Sequence, residues 1–157
     1  MGLDRLKFLY REVILENANN PKNYGVLINH SHQTTVYNPN CGDKLNLFLN
    51  LDKDNHISKI KFNGEGCTIS KASASLMTQT VKGKSKDEAI EIAKIFSQMA
   101  IKQPLSRKQL EKLGDSQIMT NVMQFPARIK CATLAWWALE RILLGEDGEK
   151  ETDRRYC

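Results

Sequence analysis

Long apolar runs are missing from this sequence. The longest candidate, Leu134 to Leu144, is interrupted by Glu140 and Arg141 and is too short and too charged to span a bilayer. No basic stretch followed by an apolar run opens the chain, so no secretory leader is expected and a cytoplasmic location is. The formal charge of +5 has no matching basic arm or patch. Lysines and arginines are scattered, many beside acids, which sets nucleic-acid binding aside. Tight C-x₂₋₄-C pairs, the mark of ordinary zinc knuckles, are absent. There is no internal repeat, no long low-complexity segment and no βαβ alternation.

What is present suits one domain with one core: 157 residues, 41% hydrophobic and 26% charged. Leu3, Leu6, Leu9, Tyr10, Val13 and Ile14 fall at helical spacing and predict an amphipathic helix over 3–16, broken by Pro21 and Gly25. Strand signals follow at Thr34 to Tyr37, at Leu45 to Leu51 with alternating leucines, and around Ile60 and Phe62. Asp52 to Asn55 reads as a turn. From Thr68 the pattern turns helical. One segment runs over Ala72 to Val81, and capping boxes open two more at Ser85–Glu88 and Ser106–Gln109, the second with Leu105 and Leu110 as a staple. Pro126 begins a last helix ending near Gly145. The expected fold class is α+β: a small three-stranded antiparallel sheet with helices packed on one face. Residues 1–145 form the domain, and the polar tail 146–157 is expected to be disordered.

Four cysteines in a reduced compartment point to metal binding or reactivity rather than disulfides. Cys41 and Asp43 lie in a loop marked by Pro39 and Gly42. Cys67 precedes a helix, and Cys131 lies one turn into the last one. All three thiols fall at or near element ends, where loops gather at one sheet edge. Three Cys and one Asp would fill a tetrahedral zinc shell. Three thiolates, a carboxylate and Zn²⁺ sum to a charge of −2, for which Arg128, Lys130, Lys44 and Lys71 are nearby counter-charges in sequence. Other readings stand beside this one. Cys131 shares a stripe with Leu134, Ala135, Ala138 and Ile142 and could be a core residue. Asp43 could be a turn former. His30 and His32 fit a solvated or strand-edge role better than a ligand role. Trp136 and Trp137 read as core and rim of the last helix, and Lys102 to Lys112 as a solvated face.

Three stretches carry a resemblance: Tyr37-Asn38-Pro39-Asn40-Cys41-Gly42-Asp43, Gly64-Glu65-Gly66-Cys67-Thr68-Ile69-Ser70-Lys71-Ala72-Ser73-Ala74-Ser75, and Pro126-Ala127-Arg128-Ile129-Lys130-Cys131-Ala132-Thr133-Leu134. In this order they resemble the three cysteine motifs of the IscU/SufU-type iron–sulfur cluster assembly family. The similarity is to the SufU branch. IscU-like members carry a histidine where Lys130 stands and a Leu-Pro-Pro-Val-Lys motif where this chain has Gln124-Phe125-Pro126-Ala127-Arg128. The resemblance implies a zinc ion held by Cys41, Asp43, Cys67 and Cys131, with Cys41 accepting sulfur from a SufS-type cysteine desulfurase and Arg128 as a supporting basic residue. It implies further that a desulfurase histidine displaces Cys41 from zinc, and that sulfur passes to downstream Suf cluster-assembly proteins. The expected activity is of sulfurtransferase type without independent turnover. A scaffold for a [2Fe–2S] cluster and a structural zinc-binding interaction module are the alternatives.

Overall fold

The structure, a computed structural model, describes residues 3–39, 42–145 and 149–150. Helix α1 (Leu3–Asn19) runs three residues past the expected end, and Asn17 Nδ2 donates back to the Val13 carbonyl at 2.9 Å in its last turn. Strands β1 (His32–Asn38), β2 (Asp43–Leu51) and β3 (Ile57–Glu65) form the antiparallel meander. At the β2–β3 turn, Asp52 Oδ1 accepts from the backbone N–H groups of Asp54 and His56, both at 2.9 Å. Then come α2 (Thr68–Val81), α3 (Lys86–Ala100), α4 (Arg107–Leu113), a 3-10 segment (Gly114–Asn121) and α5 (Pro126–Leu143). Ser85 caps α3 by accepting from the Glu88 N–H, and at Ser106 both halves of the capping box with Gln109 are present.

Both sheet edges are covered. Phe62 of β3 exchanges backbone hydrogen bonds with Asn23 and Gly25. On the other side β4 (Glu149–Lys150) lies parallel to Thr35–Val36 and adds a fourth strand to the expected three. Apart from these two residues, the polar tail lies outside the described residues.

The register places Thr34, Leu47 and Phe62 side by side, and likewise His32, Leu49 and Ile60. Leu45, Leu47, Leu49, Ile60 and Phe62 are all buried and form the sheet side of the core. Helix α5 supplies the other side, with Leu134, Ala135, Ala138 and Ile142 buried. Trp136 is 1% exposed and stacks on Phe96 of α3 with centroids 4.4 Å apart, whereas Trp137 is half-buried, so the expected core and rim roles hold. Leu9, expected on the buried face of α1, is instead 46% exposed.

Helix α2 buries an unusual run of small polar residues, and each finds a partner. Ser75 Oγ donates to Asn17 Oδ1 at 2.7 Å, tying α2 to α1. Ser73 Oγ donates to the Ala132 carbonyl at 2.5 Å and accepts from Trp136 Nε1 at 3.2 Å. Satisfied pairs of this kind contribute about 1 kcal/mol each, while orphaned ones would cost more. Their positional effect matters more here, because the Ser73–Ala132 bond fixes α2 against α5 one residue from Cys131.

Candidate metal centre

One end of the sheet gathers three donor groups. Asp43 is the first residue of β2, paired across the hairpin with Asn38, and is 2% exposed. Cys67 is the N-cap residue of α2 and is half-buried. Cys131 lies in the second turn of α5 and is fully buried. One carboxylate oxygen and the two sulfurs lie within 4.8 Å of one another. The Asp43 carboxylate is held by two donors: the Cys67 N–H reaches Oδ1 at 3.0 Å, and Ser70 Oγ reaches Oδ2 at 3.0 Å. Asp43 is therefore more than a turn former, since its side chain points into the cluster. Asn38 Nδ2 approaches Cys131 Sγ at 4.0 Å, and Ser70 Oγ lies 3.4 Å from Cys67 Sγ.

Two glycines allow this closeness. A β-carbon on Gly66 would lie 2.7 Å from Ser70 Oγ and 3.3 Å from Asp43 Oδ1. Gly64 has φ of +143°, and a β-carbon there would run into the Lys44 carbonyl.

The thiol of Cys67 is lowered from the ordinary 9.0 to about 5. The largest cause is a hydrogen bond from the Cys131 side chain. Burial opposes it, the hydroxyl and backbone of Ser70 assist, and the charge of Asp43 opposes. An N-cap position next to unpaired helix N–H groups is where a thiolate is favoured.

Tetrahedral zinc with Zn–S of about 2.3 Å and Zn–O of about 2.0 Å has S–O and S–S donor edges of roughly 3.5–3.8 Å. Donors already within 4.8 Å close to those edges with shifts of about an ångström. Two thiols, one of them ionised at neutral pH, and a carboxylate with two hydrogen bonds make a donor set that fits zinc.

Cys41, the fourth expected ligand, lies outside the described residues, as does Cys157. The flanks of the Cys41 loop are defined: the Gly42 N–H donates to the Asn38 carbonyl at 2.8 Å, next to the Asn38–Asp43 pair. Arg128 is exposed on the first turn of α5 and lines, with Cys67, a groove of about 940 Å³. Lys44, expected beside the site, lies over the Tyr37 ring at 5.6 Å on the opposite sheet face from Asp43, because adjacent strand residues alternate. His30 and His32 are not in the cluster. His30 Nδ1 lies 2.9 Å from the Leu27 carbonyl and its ring rests against Phe48, while His32 Nδ1 lies 2.7 Å from Ser31 Oγ. Ser70 and Asn38 were not singled out from sequence; a serine three residues after an N-cap cysteine is the one local signal for Ser70.

Comparison with known proteins gives consistent results. A family model described as the NifU-like N terminal domain matches residues 9–132. Over 146 residues the chain is 48% identical to the zinc-dependent sulfurtransferase SufU of Bacillus subtilis (strain 168), spanning 91% of this chain and 95% of that protein. It is 41% identical over 143 residues to the iron–sulfur cluster assembly scaffold protein IscU of Streptococcus pyogenes serotype M1, spanning 91% and 87%. Among solved structures, a proposed iron–sulfur cluster assembly scaffold protein for the SUF system from Fervidobacterium islandicum AW-1 superposes with a TM-score of 0.80 at 32% identity, spanning 87% of this chain and 97% of that one. Among the described residues, no helix is long and apolar enough to cross a membrane.

Proposed function

The chain belongs to the NifU-like N-terminal domain family, and on that premise we propose that it serves iron–sulfur cluster assembly as a zinc-dependent sulfur acceptor. Asp43, Cys67 and Cys131 hold the zinc together with Cys41, and Cys41 receives the sulfur. The donor is a SufS-type cysteine desulfurase, the recipients are downstream Suf cluster-assembly proteins, and the setting is the cytoplasm. The observation that carries the reading is the convergence of the Asp43, Cys67 and Cys131 donor atoms within 4.8 Å at one sheet end.

Bound zinc would hold its sulfur ligands as thiolates and draw the loops of the site together. The remaining chemistry belongs to the chain. Sulfur moves when the Cys41 thiolate attacks the outer sulfur of the donor's persulfide. A new S–S bond forms on Cys41, the S–S bond of the donor breaks, and the donor cysteine leaves as a thiolate. Asp43 is held in place by Cys67 and Ser70, so its carboxylate keeps one orientation through the exchange. Cys131, locked inside α5, is the anchor of the site. The hairpin that carries Cys41 is tied at Asn38 and Asp43, which sets the two ends of its loop beside the Asp43 donor.

Metal analysis of the purified protein together with desulfurase stimulation tests the reading. A colourless protein with one equivalent of zinc that accelerates L-cysteine turnover by the desulfurase is the expected result. The likeness to an IscU scaffold favours a second reading, in which the same residues carry a [2Fe–2S] cluster as cargo. A brown protein with stoichiometric iron and sulfide would establish that one instead. Zinc without any stimulation would reduce the site to a structural one.

A further inference from the structure

Strand β1 is an edge strand that β4 covers only in part. Among the described residues β4 pairs with Thr35 and Val36, while β1 continues to Asn38. The pairing is parallel, so the chain leaving β4 at Lys150 heads in the direction of Asn38. That end of β1 is the metal end: Asn38 pairs with Asp43, and its Nδ2 lies 4.0 Å from Cys131 Sγ. A strand edge offers backbone donors and acceptors to any extended segment that reaches it. A segment of the same chain arrives there at high effective concentration, without the entropy loss of a separate partner.

The sequence after Lys150 is Glu151-Thr152-Asp153-Arg154-Arg155-Tyr156-Cys157. At about 3.3 Å per residue it can span about 23 Å, and its first two residues suffice to draw level with Asn38. Its charges fall in two blocks, Glu151 and Asp153 first, then Arg154 and Arg155. The surface along that path is complementary in the same order. Lys44 is the β2 partner of Tyr37 and lies over its ring at 5.6 Å. Beyond Asn38 lies the donor set, where three thiolates and a carboxylate outweigh the charge of a zinc ion and leave a centre that favours nearby cations. Lys44 does not supply one, because it stands on the opposite sheet face from Asp43.

We propose that residues 151–157 continue β4 along the last two residues of β1, as a strap that brings Glu151 to Lys44 and carries Arg154 and Arg155 to the metal centre. The inference rests on the four-ligand zinc site proposed above. The β4 register, continued by two steps, sets Glu151 opposite Tyr37 and Thr152 opposite Asn38. The strap adds no ligand. It supplies the counter-charge that the site's ligands call for, and it slows exchange of the metal with solution.

The test measures how fast zinc passes from the loaded protein to a chromophoric chelator. Protein lacking residues 151–157 should hold one equivalent of zinc and release it about threefold faster than the full chain, a difference that shrinks in about 1 M salt. Arg154→Glu/Arg155→Glu should release it at least as fast as the truncated protein. Lys94→Glu/Lys108→Glu makes the same charge change at exposed positions of α3 and α4 and should match the wild type. Hydrogen exchange read by mass spectrometry supplies a second measurement: the amides of β1 should exchange more slowly in the full chain than in the truncated protein. Glu151→Pro, which breaks the strand and keeps both arginines, should exchange like the truncated protein. Equal zinc release and equal β1 exchange in the full chain and the truncated protein would overturn the strap while leaving the zinc site standing. A Cys41→Ser variant that keeps a full equivalent of zinc at unchanged affinity would remove the four-ligand site, and this inference with it.

Discussion

Cys67 and Cys131 are the same residue in two settings. Cys67 caps a helix, is half-buried and borders an open groove; Cys131 is inside a helix, fully buried, with its sulfur facing Asn38 and its neighbour Ala132 bonded to Ser73. A hydrogen bond from the Cys131 side chain to the Cys67 sulfur is the largest cause of the drop in the Cys67 pKa to about 5. The difference teaches that position on a helix sorts two equal thiols into an anchor and an anion. Burial secures the first, and exposed helix N–H groups with a neighbouring donor charge the second.

The sharpest way to break this comparison is to remove each thiol in turn. Cys131→Ala is expected to bring zinc content below about a tenth of an equivalent and to lower the melting temperature of the zinc-loaded preparation by more than about 10 °C, since coordination contributes directly to folding free energy. Cys67→Ala should lose zinc as well. In the metal-free state near pH 5, where the Cys67 thiolate no longer contributes, Cys131→Ala should still melt lower than wild type, by an amount corresponding to about 1–2 kcal/mol for the emptied core position, while the half-buried Cys67→Ala should lose less. Equal melting points for the two metal-free variants would mean that the burial difference has no energetic weight.

Asp43→Ala tests the third donor. It removes both hydrogen bonds from Cys67 and Ser70 along with the carboxylate, and should reduce desulfurase-dependent sulfur acceptance at least tenfold. Unchanged zinc affinity and stimulation would return Asp43 to a turn former.

Ser70→Ala leaves the ligands in place and removes the hydroxyl that orients Asp43 and touches the Cys67 sulfur. Loss of such an outer partner weakens metal affinity by about 10–100-fold, which competition with a chelator would read. No change would show that the Cys67 N–H suffices to hold the carboxylate.

The smallest expected effect is on pH dependence of the metal-free protein. A thiol depressed from 9.0 to about 5 contributes stability that is full above the ordinary thiol value and is lost as pH falls toward about 5. Ultraviolet thiolate absorbance should therefore persist in the folded metal-free protein down to about pH 5, and Cys131→Ala should move that titration upward. A transition near the ordinary thiol value in the wild type would contradict the donor role of Cys131.

Much of this was legible in the sequence, for identifiable reasons. Alternating leucines in β2 and the Pro126–Gly145 punctuation of α5 are local signals that tertiary packing reinforced. The helical pattern expected from Thr68 is where α2 begins. Its apolar periodicity is visible only from Ala72, because Ser70, Ser73, Ser75 and Thr78 are buried polar residues whose partners lie far along the chain. The donor set Asp43, Cys67 and Cys131 followed from loop context and motif resemblance. Its support by Ser70 and Asn38 depends on elements meeting across 27 and 93 residues, which local pattern does not encode beyond the place of Ser70 three residues after Cys67. Lys44 misled, since adjacency in sequence puts it on the opposite sheet face from Asp43.

The central claim is that Cys41, and no other thiol, accepts the sulfur. The direct measurement is to incubate the zinc-loaded protein with desulfurase and L-cysteine, trap free thiols and persulfides, and locate the added sulfur by peptide mass spectrometry. Placement fixed by a site contributes far more to rate than intrinsic thiol reactivity, so the extra 32-dalton mass (about one sulfur atom) should sit on the peptide containing Cys41, vanish in Cys41→Ser, and persist in protein lacking residues 146–157. Sulfur found mainly on Cys157, or a tail-truncated protein that accepts none, would contradict the account.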